Sequence, residues 1–440
     1  LFENIMIDKS LTIYALSTPP GKAAIAIIRI SGILSYCSIK NISVNMPKKQ
    51  NIATYNKIKT NSGEIIDETI TTYFKAPKSF TGEDMVEISI HGGVAVIKKI
   101  LEILSKIKGL RLATSGEFTR RAFENNKLDL TQVEAIADIV NAETEMQRKQ
   151  AIGHLSGNFF KKTKDIFESL KKILANVEAV IDFSEEDLPT NLINGIKEQI
   201  ENNIKDIQEV IKGKASGLSI RDGFLVAILG KTNSGKSSFI NNISGRDVAI
   251  VTNQPGTTRD PIEVFVDIFG YPIRFVDTAG IRKPTDLVEK IGVEKAISIS
   301  KEADINVVFI NNENDILDFK NIKKPTFVRS KQDINGGVFD ENKFYNISST
   351  TNYGIKDFLK QIKEKLGKKT PNENISISRE RHAQCLYDVV LYLKKSQEQK
   401  SIDMFAEDIR QAVKSLSSLF GGLDIEDILD IIFSDFCIGK

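Results

Sequence analysis

The chain has 440 residues, 41% of them hydrophobic and 27% charged, with a formal net charge of +2. At roughly 150 residues per domain it is long enough for about three domains with sizeable cores, and its charge balance neither demands nor forbids a nucleic-acid partner. Its three cysteines (Cys37, Cys385, Cys437) show no metal-ligand spacing and histidines are equally few, which argues against a disulfide framework or a zinc site and for a reducing setting. With no apolar run near about 18 residues and no leader pattern, the expectation is a soluble cytoplasmic protein.

Residues 1–125 read as mixed β/α. Strand patterns cover 12–16, 23–30, 64–74 and 85–90, with Thr18-Pro-Pro-Gly21 as a turn and helical spacing over 94–107. Arg29 and Glu87 interrupt apolar strands, and Lys127 precedes Leu128-Asp-Leu130. Their chemistry alone reads as solvated strand faces or a salt bridge. From 126 to 218 the apolar residues recur at spacings of three and four, as in Ile166, Leu170, Ile173, Leu174 and Val177, which predicts helices. An acidic, proline-ended break covers 182–189, and 212–217 has the composition of a linker.

Residues 219–369 alternate strand and helix patterns, implying a largely parallel sheet. Gly230-Lys-Thr-Asn-Ser-Gly-Lys-Ser237 follows the apolar run 224–229 and opens a helix. That is the phosphate-binding P-loop in its proper context. Its glycines admit close backbone approach, Lys236 places a charge on the β/γ-phosphates, and Ser237 offers a hydroxyl to Mg²⁺. Gly256-Thr-Thr-Arg-Asp260 follows at switch distance, where Thr258 can give Mg²⁺ a second oxygen. Asp277-Thr-Ala-Gly280 follows a strand, as does Ser330-Lys-Gln-Asp333. An aspartate at 333 can accept from both N1–H and the exocyclic amine of guanine, and Asn346-Ile-Ser-Ser-Thr350 is placed to close over the base. This order of segments predicts a Ras-like GTPase domain. Its nucleotide site comprises Asn233, Ser234, Gly235, Lys236, Ser237 and Ser238; Thr252, Asn253, Gln254, Pro255, Gly256, Thr257 and Thr258; Asp277, Thr278, Ala279 and Gly280; and Ser330, Lys331, Asp333, Ser348 and Ser349.

Two departures from the common GTPase pattern stand out. Ser330 occupies a position usually held by Asn, which predicts the loss of one hydrogen bond, about 1 kcal/mol, with guanine selectivity kept by Asp333. Ile281 stands where Ras-type proteins place a water-orienting Gln. Asn233 is a candidate ligand for a monovalent cation, or simply a loop-stabilising residue. Glu289 is a candidate to orient the water through a bridging water, or a helix-surface carboxylate. Residues 370–440 become helical again. The simplest topology is therefore a helical domain formed from two chain segments, with the GTPase domain inserted.

Nearly end to end, the chain resembles the tRNA-modification GTPase family MnmE (TrmE). The resemblance rests on Thr18-Pro-Pro-Gly with Ile27-Ile-Arg-Ile-Ser-Gly32, on Ser79-Phe-Thr-Gly-Glu-Asp with Glu87-Ile-Ser-Ile-His-Gly-Gly93, and on the stretch 116–132. It continues through the P-loop with Asn233, Asp277-Thr-Ala-Gly-Ile-Arg282, Val288-Glu-Lys-Ile-Gly292 and the terminal Cys437-Ile-Gly-Lys440. It implies that 1–125 binds 5-formyltetrahydrofolate, or a related folate, through Arg29, Glu87, Lys127 and Lys440, and mediates a homodimer. It implies K⁺ bound by Asn233, Thr252, Gln254 and Thr257, Mg²⁺ by Ser237 and Thr258, catalytic water orientation by Glu289, and a part for Cys437 in the modification step. The family acts with an FAD-containing partner, MnmG (GidA), at C5 of the wobble uridine of certain tRNAs. The rival readings are a regulatory GTPase switch in ribosome or RNA assembly, and a structural dimer with a decayed nucleotide site.

Overall fold

The computed structural model describes residues 11–182, 190–245, 249–250, 263–277, 297–334, 344–368 and 377–422, together with 429, 432–433, 436 and 438–439. The chain divides into two compact units, Leu1–Ala137 with Phe420–Lys440, and Asp138–Leu419.

The first unit is built on β1 (Thr12–Leu16), β2 (Ala23–Ser31), the short α1 (Ser35–Ser38), β3 (Thr54–Lys59), β4 (Ile65–Phe74), β5 (Met85–Gly92), α2 (Val94–Ser105), β6 (Leu110–Leu112), α3 (Glu117–Glu124) and the start of α4 (Leu130–Val140). Its six strands run in the order β3-β4-β5-β2-β1-β6, antiparallel except for the parallel pair β1–β6. Alternation along β2 and β5 sends Ile28, Ile30, Val86, Ile88 and Ile90 into one core with Ile97, Ile100 and Leu104, the buried stripe of α2. The opposite sheet face packs Ile13, Ala15, Ala113 and Phe118. Strand β3 escapes a sequence reading because one of its two inward residues, Asn56 beside Ile58, is polar. Asn56 is fully buried and donates to Ser43 Oγ at 2.9 Å and Thr71 Oγ1 at 3.1 Å, which satisfies it.

The end of the chain joins this unit. Leu429, Ile432, Phe433 and Phe436 bury against Leu130 and Val133 of α4. Periodicity marks such a segment as helical but cannot name its packing partner.

The second unit holds a helical set and a sheet. The helices are α5 (Glu145–Leu155), α6 (Asn158–Asp182), α7 (Thr190–Lys212), α8 (Lys214–Asp222), α9 (Lys236–Ser244), α10 (Ile355–Gly367), α11 (Glu380–Glu398) and α12 (Ile402–Ser418). The strands are β7 (Phe224–Gly230), β8 (Ala249–Ile250), β9 (Glu263–Ile268), β10 (Tyr271–Asp277), β11 (Ile305–Ile310), β12 (Thr326–Arg329) and β13 (Tyr345–Asn346). They form one sheet in the order β13-β12-β11-β7-β10-β9-β8, parallel from β13 to β10 and antiparallel beyond. The central β7 and β11 are apolar almost throughout, as strands covered on both faces must be.

The expected linker over 212–217 is instead the entry to α8. Its small residues permit close packing: Ser216 and Gly217 are buried, and the Gly217 carbonyl accepts from Gln150 Nε2 at 3.0 Å. Helix α5 starts with a reciprocal cap between Thr144 and Gln147. Its Met146 enters the core of the seven-stranded sheet, and the Met146 N–H donates to the Gly270 carbonyl at 3.1 Å.

Candidate functional site

The phosphate site lies at the C-terminal ends of the parallel strands, where open α/β sheets bind ligands. Strand β7 delivers the chain into the P-loop, and Gly235, with φ +92°, is the N-cap of α9. A residue without Cβ is favoured there by the positive φ and because a Cβ would lie 2.4 Å from Ser330 Oγ. Lys236 is almost fully buried, and its ammonium donates to the Gly230 carbonyl at 2.8 Å and the Lys231 carbonyl at 2.6 Å. Burial of a lysine is tolerated because these carbonyls solvate it. Ser234, fully buried, donates its hydroxyl to the Lys231 carbonyl at 2.8 Å. Asn233 is exposed and left-handed, with φ +61°.

The last residue of β10, Asp277, is 1% exposed and accepts from Ser237 Oγ at 3.3 Å. A hydroxyl and a carboxylate held together beside a phosphate-binding loop form a hard oxygen set that suits Mg²⁺. On the base side, Ser330 Oγ donates to the Ser234 carbonyl at 2.5 Å and Lys331 Nζ to the Asn233 carbonyl at 2.9 Å. Asp333 is exposed. Ser348 is fully buried and its hydroxyl accepts from the Thr351 N–H at 3.1 Å, while the Ser349 carbonyl accepts from Asn242 Nδ2 at 2.7 Å. Ser238 is an exposed residue of α9. The expected site residues Thr252, Asn253, Gln254, Pro255, Gly256, Thr257, Thr258, Thr278, Ala279, Gly280, Glu289, Cys437 and Lys440 lie outside the described residues.

One partner set of the P-loop was invisible in the motif. Lys231 Nζ reaches both Asp315 and Asp318 at 2.8 Å, bonds that hold its pKa well above the ordinary lysine value. Burial of Asp315 pushes its carboxyl upward. The Lys231 bond and the N–H groups of Asn311 and Asn312 outweigh this and leave it below the usual range. The variable positions of a P-loop carry no pattern. Only the cap-like spacing of Asn312 and Asp315 hints that this segment has a fixed shape.

In the first unit, Arg29 and Glu87 sit directly opposite each other on β2 and β5. Arg29 Nε donates to Glu87 Oε1 at 2.9 Å, and Nη2 approaches the same oxygen at 2.8 Å. The guanidinium lies 5.3 Å from the Phe80 ring and 5.6 Å from that of Phe118. Its Nη1 meets the Gly439 carbonyl at 3.5 Å. Gly439, at φ +100°, rests on the backbone of Leu16 and Ser17, where a Cβ would come within 2.8 Å of Ser17 Cα, and Ile438 pairs with Ser115. The tail is thereby seated beside the Arg29–Glu87 pair. Lys127 is exposed and bonds elsewhere, donating to the Pro77 carbonyl at 3.0 Å.

The sheet order, the glycine-gated loop and the Ser237–Asp277 pair define a P-loop GTPase domain, in a chain that also holds a helical set and a mixed α/β unit. Residues 12–127 match the family model described as GTP-binding protein TrmE N-terminus, and residues 130–437 match the MnmE helical domain. Proteins described as tRNA modification GTPase MnmE align almost end to end. That of Pelagibacter ubique is 43% identical over 454 residues, covering 98% of this chain and 100% of the relative. The relatives from Ehrlichia chaffeensis and Roseobacter denitrificans are 40% and 37% identical, with the same coverage. The chain belongs to the MnmE family.

Proposed function

We propose that this chain hydrolyses GTP to GDP and phosphate, and that hydrolysis drives modification of the wobble uridine of certain tRNAs at C5. The group added is carboxymethylaminomethyl or aminomethyl, and the FAD-containing MnmG (GidA) is the partner. The supporting observation is the Ser237–Asp277 pair over a lysine-capped P-loop, in a chain that aligns over its length with tRNA modification GTPases.

On GTP binding, the Lys236 ammonium exchanges its carbonyl partners for β/γ-phosphate oxygens, and the N–H groups at the start of α9 cradle the same phosphates. Ser237 and Thr258 would hold Mg²⁺. Asn233, with Thr252, Gln254 and Thr257, would hold K⁺, which supplies positive charge to the transferring phosphoryl group as the two GTPase domains of a homodimer meet. Glu289 orients the attacking water, and Asp333 reads guanine. Arg29, Glu87, Lys127 and Lys440 would hold a formyl-tetrahydrofolate, whose role is to donate the one-carbon unit. A paired guanidinium and carboxylate beside two aromatic rings suit a flat, hydrogen-bonding heterocycle. Cys437 takes part in the modification step. The reaction takes place in the cytoplasm.

Nucleoside mass spectrometry of total tRNA from cells depleted of the chain, then re-supplied, tests this reading. Loss and recovery of the C5-modified wobble uridines are expected. Unchanged modification would remove the tRNA role and leave a regulatory GTPase.

A further inference from the structure

Position 330 departs from the usual Asn, and its surroundings show what the serine does instead. Ser330 is 4% exposed, and its Oγ lies 2.5 Å from the Ser234 carbonyl oxygen. A carbonyl only accepts, so the single hydrogen of the hydroxyl is donated into the P-loop. Gly235 packs against the same oxygen so closely that a Cβ there would lie 2.4 Å from it. Lys331 repeats the arrangement one residue on, donating to the Asn233 carbonyl at 2.9 Å. Guanine presents only acceptors, N7 and O6, along its major-groove edge, so a group that reads that edge must donate. Ser330 has no second hydrogen to give.

We propose that Ser330 braces the P-loop and leaves guanine N7 unread by this side chain, so that base selectivity rests on Asp333 at the N1–H and exocyclic-amine edge. An Asn carries two amide hydrogens and could serve loop and base together. This chain has given up the second task and kept the first. The proposal rests on the reading of this site as a GTP site and specifies how it discriminates bases.

The test is competition against mant-GDP on the full chain with Mg²⁺, using GTP, 7-deaza-GTP (which lacks N7) and inosine triphosphate (which lacks the exocyclic amine). GTP and 7-deaza-GTP are expected to bind within about twofold of each other, and inosine triphosphate roughly tenfold more weakly, the loss expected for a hydrogen bond to a carboxylate. Ser330→Asn should gain about fivefold for GTP over 7-deaza-GTP, whereas Ser330→Ala should weaken both alike. A preference of about fivefold or more for GTP over 7-deaza-GTP in the unaltered chain overturns the proposal. So does a Ser330→Ala variant that loses affinity for GTP alone. Failure to bind any of the three nucleotides would instead overturn the GTP-site reading beneath it.

Discussion

The nucleotide site of the second unit and the Arg29–Glu87 site of the first were assembled in opposite ways. The P-loop draws its phosphate-binding groups from eight consecutive residues, and much of the work is done by the backbone. Glycines and a lysine at fixed spacing therefore announce it. The other site joins residue 29, residue 87 and residue 439, brought together by strand register and a docked tail. No local spacing encodes that meeting. A site made by backbone is written in the sequence, whereas a site made by register becomes visible only in the fold or through a resemblance.

The comparison can be broken first at the cation. Asn233→Ala, or replacement of K⁺ by Na⁺, should lower GTP turnover by on the order of 10³ or more, the scale of a lost charge-stabilising element. Phosphate release measured in KCl and in NaCl decides, and equal rates contradict the cation site. Next is the water. Glu289→Ala should leave mant-GTP affinity unchanged and slow single-turnover hydrolysis about 10²-fold, as removal of a proton-handling or water-orienting group does. A normal rate removes Glu289 from that role.

The first unit is sharpened by its buried charges. Glu117 has a side chain 2% exposed, and it bonds Arg111 Nη2 at 2.6 Å and Arg121 Nη2 at 3.1 Å. Burial pushes its pKa upward, but Arg111, the Thr114 N–H and Arg121 outweigh that and hold it below the usual carboxylate value. A lowered native pKa means the stabilisation is complete above the unfolded value of about 4.3 and is lost as pH falls through the native one. Glu117→Gln should cost about 2 kcal/mol at pH 7, by removing the charge that Arg111 and Arg121 share while Arg121 keeps Glu83 at 3.0 Å, and should flatten the acid limb of stability. Urea denaturation across pH 3–7 checks both; an unchanged acid limb contradicts the assignment. The smallest effect is chemical. Burial pushes the Cys385 thiol up to about 11. Iodoacetamide at pH 8 should therefore label the exposed Cys37 and spare Cys385, as peptide mass spectrometry would show.

Much of the fold was legible because burial pattern follows secondary-structure period. β2, β5, β7 and β11 were readable from their apolar residues, and α6 from its three-and-four spacing. What escaped has a physical reason in each case. β3 turns a satisfied asparagine inward, so its pattern looks polar. α8 begins with small residues that also make linkers. The terminal segment gives no sign that it packs on α4. Within the nucleotide site, the motifs picked out Lys236, Ser237 and Asp277, and the fold joins Ser237 to Asp277, while the hold of Asp315 on Lys231 left no mark in the motif.

We propose that the two sites serve one product, with GTP hydrolysis in one and one-carbon chemistry in the other. The most direct measurement pairs GTPase rate with wobble-uridine content in depleted cells re-supplied with Arg29→Ala or Lys236→Ala. Arg29→Ala is expected to abolish the C5 modification while GTP hydrolysis by the purified variant persists, and Lys236→Ala to abolish both. Full modification supported by Arg29→Ala would contradict it.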